Sequence, residues 1–197
     1  MSIRHFLRIS ILLTGFTSLI GCNTTSIQPE KPLPGITSPK ELHQWHATGR
    51  MAIKTSKEGG SVSFDWQQKG NRFELHFFGP LGMNNTQLSG NAHHVILKTA
   101  EGEVHKAASA ELLMKRYFGW SLPINALNHW VLGIPAPNQP FSQRVGDKGQ
   151  LVQLKQYDWE LRYQDYQTAM GLTLPKKMQL HREDIDVKII VQSWKSE

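Results

Sequence analysis

Val62-Ser63-Phe64-Asp65-Trp66-Gln67 and, past Lys69-Gly70-Asn71, Arg72-Phe73-Glu74-Leu75-His76-Phe77 decide how this chain folds. Apolar and polar residues alternate in both stretches. Val62, Phe64 and Trp66 therefore share one face of a strand, and Phe73, Leu75 and Phe77 share one face of the next. A strand with one apolar and one polar face belongs to an antiparallel sheet that meets water on one side. Lys69-Gly70-Asn71 supplies the turn between them. Upstream, Met51 and Ile53 alternate with Arg50, Ala52 and Lys54 in a strand that opens at Gly49, and Glu58-Gly59-Gly60 turns it into the second. The same rhythm predicts strands at 86–89, 94–99, 151–155, 159–163, 178–181 and 185–194.

The middle of the chain changes period. Ala110, Leu113, Met114, Tyr117 and Phe118 fall at helical spacing. After Pro123, a second helix puts Ile124, Leu127, Trp130 and Val131 on one face before Gly133 and Pro135 stop it. The fold class is α+β and mainly β: strands, two helices, strands again. An apolar sheet face must be covered, and the two amphipathic helices are the available lid. The large side chains on that face either interlock as a core or line a greasy cavity, and composition does not separate the two.

Ahead of the sheet the chain has a different character. Arg4 and Arg8 precede an apolar run from Ile9 to Ile20, then Gly21 and Cys22, which reads as a signal peptide over residues 1–21. The run is shorter than the roughly 20 apolar residues that cross a bilayer. Cys22 is the chain's one cysteine, so no internal disulfide forms, and its place after Gly21 with Leu19 upstream resembles a lipoprotein lipobox. Residues 22–37 contain Pro29, Pro32, Pro34 and Gly35 and read as a lipidated tether; at about 3.1 Å per residue it reaches roughly 40–50 Å. Ser38-Pro39-Lys40-Glu41 is a capping box that opens a single domain, 38–197, with a short helix ending near His46.

Charge and motifs exclude several functions. The 197 residues carry a net charge of +6; residues 1–21 hold two arginines and no acid, so their removal leaves +4, scattered singly rather than gathered as nucleic-acid binders gather it. Nine histidines form no H-E-x-x-H, and no Cys/His spacing for zinc is present. His93 and His94 would face opposite sides of a strand, and Asp184 and Asp186 are best read as a solvated turn or strand start. With no G-x-S-x-G elbow and no phosphate loop, the chain is expected to have no catalytic residues, metal or dissociable cofactor. Phe78-Gly79-Pro80-Leu81-Gly82-Met83 is the remaining singular feature. Gly79-Pro80 breaks the strand and Gly82 permits a tight reversal, leaving Leu81 at a loop tip with Met83 beside it. Such a residue either folds back onto the sheet or probes a membrane or an apolar ligand.

Taken in order, Gly49-Arg50-Met51-Ala52, Phe64-Asp65-Trp66-Gln67-Gln68, Gly79-Pro80-Leu81-Gly82, Gly119-Trp120-Ser121-Leu122-Pro123-Ile124 and Trp130-Val131-Leu132-Gly133-Ile134-Pro135, behind a lipobox, resemble the LolB family of outer-membrane lipoprotein receptors. The resemblance implies an incomplete antiparallel β-barrel with a helical lid over a hydrophobic concave face. It implies N-acyl and S-diacylglycerol groups on Cys22. It also implies an outer-membrane, periplasm-facing monomer that accepts acylated lipoprotein cargo from the soluble carrier LolA and inserts it into the inner leaflet. Leu81 and Met83 would form the membrane-transfer loop. The acyl-chain cavity would be lined by Met51, Ile53, Val62, Phe64, Trp66, Phe73, Leu75 and Phe77, with Leu113, Tyr117, Leu127 and Trp130 from the lid. One departure is a short stretch before the first strand, with room for only about two turns of the family's amino-terminal helix. A scaffolding envelope lipoprotein, which shares the lipobox and tether but needs no cavity, is the alternative.

Overall fold

The computed structural model describes residues 33–79 and 85–196. Cys22, Leu81 and Met83 lie outside them. The elements are β1 (Gln44–Lys54), β2 (Gly59–Lys69), β3 (Arg72–Phe78), β4 (Thr86–Gly90), β5 (Val95–Lys98), β6 (Val104–Ala107), α1 (Ala110–Phe118), α2 (Ile124–Trp130), β7 (Ser142–Val145), β8 (Leu151–Gln156), β9 (Trp159–Ala169), β10 (Leu172–Arg182) and β11 (Ile185–Lys195).

Among the described residues these strands form one eleven-stranded sheet in the order β6-β5-β4-β3-β2-β1-β11-β10-β9-β8-β7, with every neighbouring pair antiparallel. The order has two ends, so the barrel is not closed. The first six strands walk out to one edge, the helices intervene, and the last five walk back until β11 pairs with β1. The connections consequently gather at two ends. The turns at 55–58, 99–103, 157–158 and 183–184 lie at one end, called the mouth, together with the end of β3 and the start of β4. Those at 70–71, 91–94, 146–150 and 170–171 lie at the other, the base.

The alternation seen in the sequence is the alternation of burial. Met51, Phe64, Trp66, Phe73, Leu75 and Phe77 all face inward and are buried. Trp45 and Ala47 extend the same phase upstream of Gly49. This corrects the expected helix running to near His46: after the capping box at Ser38, only a 3₁₀ turn forms at Pro39–Glu41, because the strand's two-residue period already starts at Gln44. Leu33 and Ile36, within the stretch read as tether, pack against the core, and the Leu33 N–H donates to the Met170 carbonyl at 3.3 Å. Gly59 and Gly60 belong to β2, so the first hairpin turns at 55–58 rather than at 58–60. Val131 lies just past α2 as its C-cap. His93 and His94 sit in the 91–94 turn rather than on opposite faces of a strand, and both backbone N–H groups donate to Asn91 Oδ1.

The sheet curls where its pattern slips. Thr48 pairs with Ser193 but Gly49 pairs with Val191, leaving Gln192 as a bulge. The extra residue lets Val191 and Trp194, three positions apart, both point inward. Gly49 sits at that bend under the Phe64 ring. A Cβ there would overlap the Ile190 carbonyl oxygen and come within 2.8 Å of the ring. Gly49→Ala should therefore cost about 1–3 kcal/mol by overpacking. Gly60→Ala, with open space at its Cβ position, should stay within about 0.5 kcal/mol. Urea unfolding of the two variants checks the difference.

Candidate functional site

The concave face is occupied by two helices held in different ways. On α2, Ile124, Ala126, Leu127 and Trp130 are buried. Its carboxyl end is fixed by a buried amide on the last residue of β8: Gln156, 3% exposed, accepts from the Trp130 indole N–H and the Ala136 backbone N–H, each at 2.9 Å. The same side chain donates to the Ala136 carbonyl at 2.8 Å and to the Gln139 carbonyl at 3.3 Å. The Tyr163 hydroxyl on β9 donates to the Trp130 carbonyl at 2.9 Å, and its burial pushes the phenol well above its usual range. Replacing either partner would strand buried polar groups, each costing about 1–3 kcal/mol.

Helix α1 has less to hold it. Ser109 caps its start, accepting from the Leu112 N–H at 3.3 Å, and Gly119 at φ 74° ends it, donating to the Lys115 carbonyl. Ala110, Leu113 and Met114 are buried, whereas Leu112 is 60% exposed. Its packing is against β5 and β6 at the sheet edge, where Tyr117 lies on His105 with ring centroids 4.2 Å apart. No hydrogen bond from an α1 side chain to the sheet is present among the described residues. The sequence reading treated both helices as one lid; the structure gives a fixed piece, α2, and a lightly attached one, α1.

The interior is filled at the base and open at the mouth. Trp45 packs on Trp66 (5.1 Å) and Trp194 (5.3 Å), and the Trp66 indole N–H donates to Gln68 at 3.1 Å. Leu75, Leu113, Leu127 and Trp130 are fully enclosed. Most of the residues expected to line a cavity therefore interlock with one another in this conformation. Open space of about 590 Å³ remains at the mouth, lined by Ile53, Val62, Gly79, Tyr117, Phe118 and Trp120, with Thr55, Glu58 and Ser61 at its rim. Ile53 and Val62 are half-buried and Tyr117 is 36% exposed. Phe118 and Trp120, stacked at 5.5 Å, were not among the cavity residues read from sequence. Their signal was an aromatic pair straddling the Gly119 helix stop. The inner faces of β8 to β11, including Leu154, Leu161, Met178 and Ile189, complete the concave surface and were likewise not assigned to it.

Other clusters have structural explanations. Asp184 accepts from the Ser56 hydroxyl and backbone N–H of the neighbouring turn, which hold its carboxyl below the usual range. Asp186 bonds His181 at 2.9 Å. A depression of about 450 Å³ on the outer face is lined by Lys54, Arg162, His181, Asp186 and Lys188, too polar for alkyl chains. No group of three or more potential metal ligands exists among the described residues.

The structure defines an open half-barrel with helices over an apolar concave face. A crystal structure of a LolA superfamily protein from Nitrosomonas europaea matches with a TM-score of 0.56 at 6% identity, covering 80% of this chain and 87% of that one. The family model of the outer membrane lipoprotein LolB matches residues 43–194. The outer-membrane lipoprotein LolB of Nitrosococcus oceani is 32% identical over 95% of this chain and 96% of its own length, and that of Pseudomonas putida strain W619 is 30% identical over 96% of each. The chain belongs to the LolB family of outer-membrane lipoproteins.

Two measurements test the division between the helices. Gln156→Leu should lower stability by about 2–4 kcal/mol in denaturant unfolding, since the Trp130 indole and the Ala136 backbone lose their partners. His129, on α2, has its pKa lowered by burial and then by the charge of His43. The folded state thus binds fewer protons than the unfolded one, and stability should fall as pH drops through the ordinary histidine range. His129→Gln should flatten that part of the pH–stability curve.

Proposed function

We propose that this protein receives the acyl chains of lipoproteins from a soluble LolA-like carrier at its mouth and releases them into the inner leaflet of the outer membrane. On this reading it is held on the periplasmic face, as a monomer, by acyl groups on Cys22. One observation carries the proposal: beneath α1 the concave face opens into a space of about 590 Å³ at the mouth, bordered by Ile53, Val62 and three aromatic side chains, next to the end of β3. Its size lies within the roughly 300–1,000 Å³ of a pocket for one small ligand, short of three acyl chains. Uptake then needs α1 to move off the sheet while α2 stays. The exposed Leu112 and sparse polar anchoring of α1 support this, because a helix held by packing and by the solvated charge of Lys115 near Asp184 can shift without breaking a buried hydrogen bond.

The energetics suit a passive relay. Each methylene left in water costs about 0.8 kcal/mol, so chains move only between apolar sites. Contacts with Ile53, Val62, Phe118 and Trp120 are non-directional and accept chains of differing length. No catalytic step is required. Leu81, in the sequence between β3 and β4, is proposed to present the cargo to the bilayer, with Met83 two residues on. In a transfer assay with carrier-bound lipoprotein and outer-membrane vesicles, Leu81→Glu should accept cargo normally and deliver it poorly. Trp120→Ala should reduce acceptance itself several-fold. Delivery by Leu81→Glu at the unmodified rate refutes the loop's role, and failure of the unmodified chain to take cargo refutes the receptor reading.

A further inference from the structure

We infer that the base of the barrel is a docking surface for a bilayer bearing anionic phospholipids, which holds the receptor with its mouth turned away from the membrane between deliveries; this rests on the anchoring at Cys22 proposed above. Two independent observations meet at the base. The first is where the chain leaves the fold. Leu33 bonds the carbonyl of Met170 in the base turn between β9 and β10, so the segment leading back to Cys22 departs from the end opposite the mouth.

The second is charge. Lys40, Arg72, Lys106, Lys148 and Lys195 are exposed around the base, and none of them takes part in an ion pair among the described residues. The acids in or beside the same segments are fewer: Glu41, Glu74, Glu111 and Asp147, with the Glu41 carboxyl held below its usual range by the Thr37 and Ser38 N–H groups. At the mouth Glu58, Glu101, Glu103, Asp158, Glu183 and Asp184 are balanced by Lys57 in the turns, by Lys54, Lys98, Lys155 and Arg182 on the strand ends, and by Lys115 of α1, whose charge acts on Asp184. Cations thus outnumber acids at the end to which the tether is attached, and do not at the mouth. A cation near an anionic leaflet strengthens its attachment about fivefold, within a Debye length of about 8 Å.

The reach of the tether makes the orientation consequential. From Cys22 to Leu33 an extended chain spans at most about 35–40 Å, and an eleven-residue strand such as β1 or β11 is about 36 Å long. A base-down domain leaves this length slack. A mouth-down domain, as delivery at the 79–85 connection demands, uses nearly all of it. Receiving from a carrier and delivering to the bilayer are then two orientations of the sheet relative to the membrane, and the basic base favours the receiving one.

The test uses the mature acylated chain in phosphatidylcholine vesicles with or without phosphatidylglycerol, and a headgroup-borne quencher. A fluorophore is attached at Asn71→Cys on the base or at Lys57→Cys on the mouth. The inference predicts stronger quenching at the base than at the mouth in phosphatidylglycerol vesicles, and loss of the difference in pure phosphatidylcholine or at 1 M salt, where the Debye length is about 3 Å. Lys106→Glu with Lys148→Glu and Lys195→Glu should abolish it too; Lys148→Glu alone should weaken it if the triple variant unfolds. Equal quenching at the two ends, stronger quenching at the mouth, or a preference insensitive to lipid charge overturns the inference. So does a triple variant that keeps its orientation but takes less cargo from the carrier, which would turn the base toward an acidic protein instead. Cargo transfer by the unmodified chain, measured in the same vesicles, tests the receptor reading separately.

Discussion

The buried amide of Gln156 fixes how this open sheet hides its apolar face. An eleven-stranded sheet with two free edges cannot bury that face by closing on itself, so a segment from outside the sheet must lie across it. That segment carries its own polar backbone, and the end of α2 would leave it unsatisfied. Gln156 meets the Trp130 indole and both backbone groups of Ala136, and Tyr163 meets the Trp130 carbonyl. The fixed position of α2 then shapes the rest: a base packed around Trp45, Trp66 and Trp194, and open space beneath α1 where the chain passes from Phe118 to Trp120.

How much of this could be read from the residues depended on whether burial followed a simple period. In β2 and β3 it does, and Val62 to Phe77 announced both strands, their inner faces and the turn at Gly70. In β9 and β10 the register slips around Pro175 and Lys177. Burial there passes from Leu174 and Pro175 to Met178 with no two-residue rhythm, and the strands proved much longer than their periodic parts. The edge strands gave less. All four residues of β7 are exposed, and in β6 Val104 faces solvent, so neither carries an amphipathic signal. The capping box at Ser38 was legible, but a cap fixes where a turn starts and not how long it lasts.

The site was legible in kind but not in place. An alternating strand reveals which side chains face inward; it does not reveal whether they meet a neighbour or a void, because that depends on how closely α1 and α2 approach. Met51, Phe64, Trp66 and Leu75 are in contact with other core residues, while Ile53 and Val62, on the same face toward the mouth, border open space. A receptor of this kind gains from such a gradient. A tightly packed base keeps the domain stable when empty, and a loosely covered mouth accepts a chain at the cost of displacing one short helix rather than unfolding a core.

The most direct test of this division is the position of the cargo itself. A lipoprotein bearing a photoreactive acyl chain is transferred from the carrier to the chain, irradiated before vesicles are added, and the crosslinked residues are mapped by mass spectrometry. Crosslinks at Ile53, Val62, Phe118 and Trp120, extending beneath α1 to Leu113 and Met114, are the predicted result. Crosslinks on the outer face around Lys54 and Lys188, or among the base residues Trp45 and Trp194 with the mouth unlabelled, would contradict it.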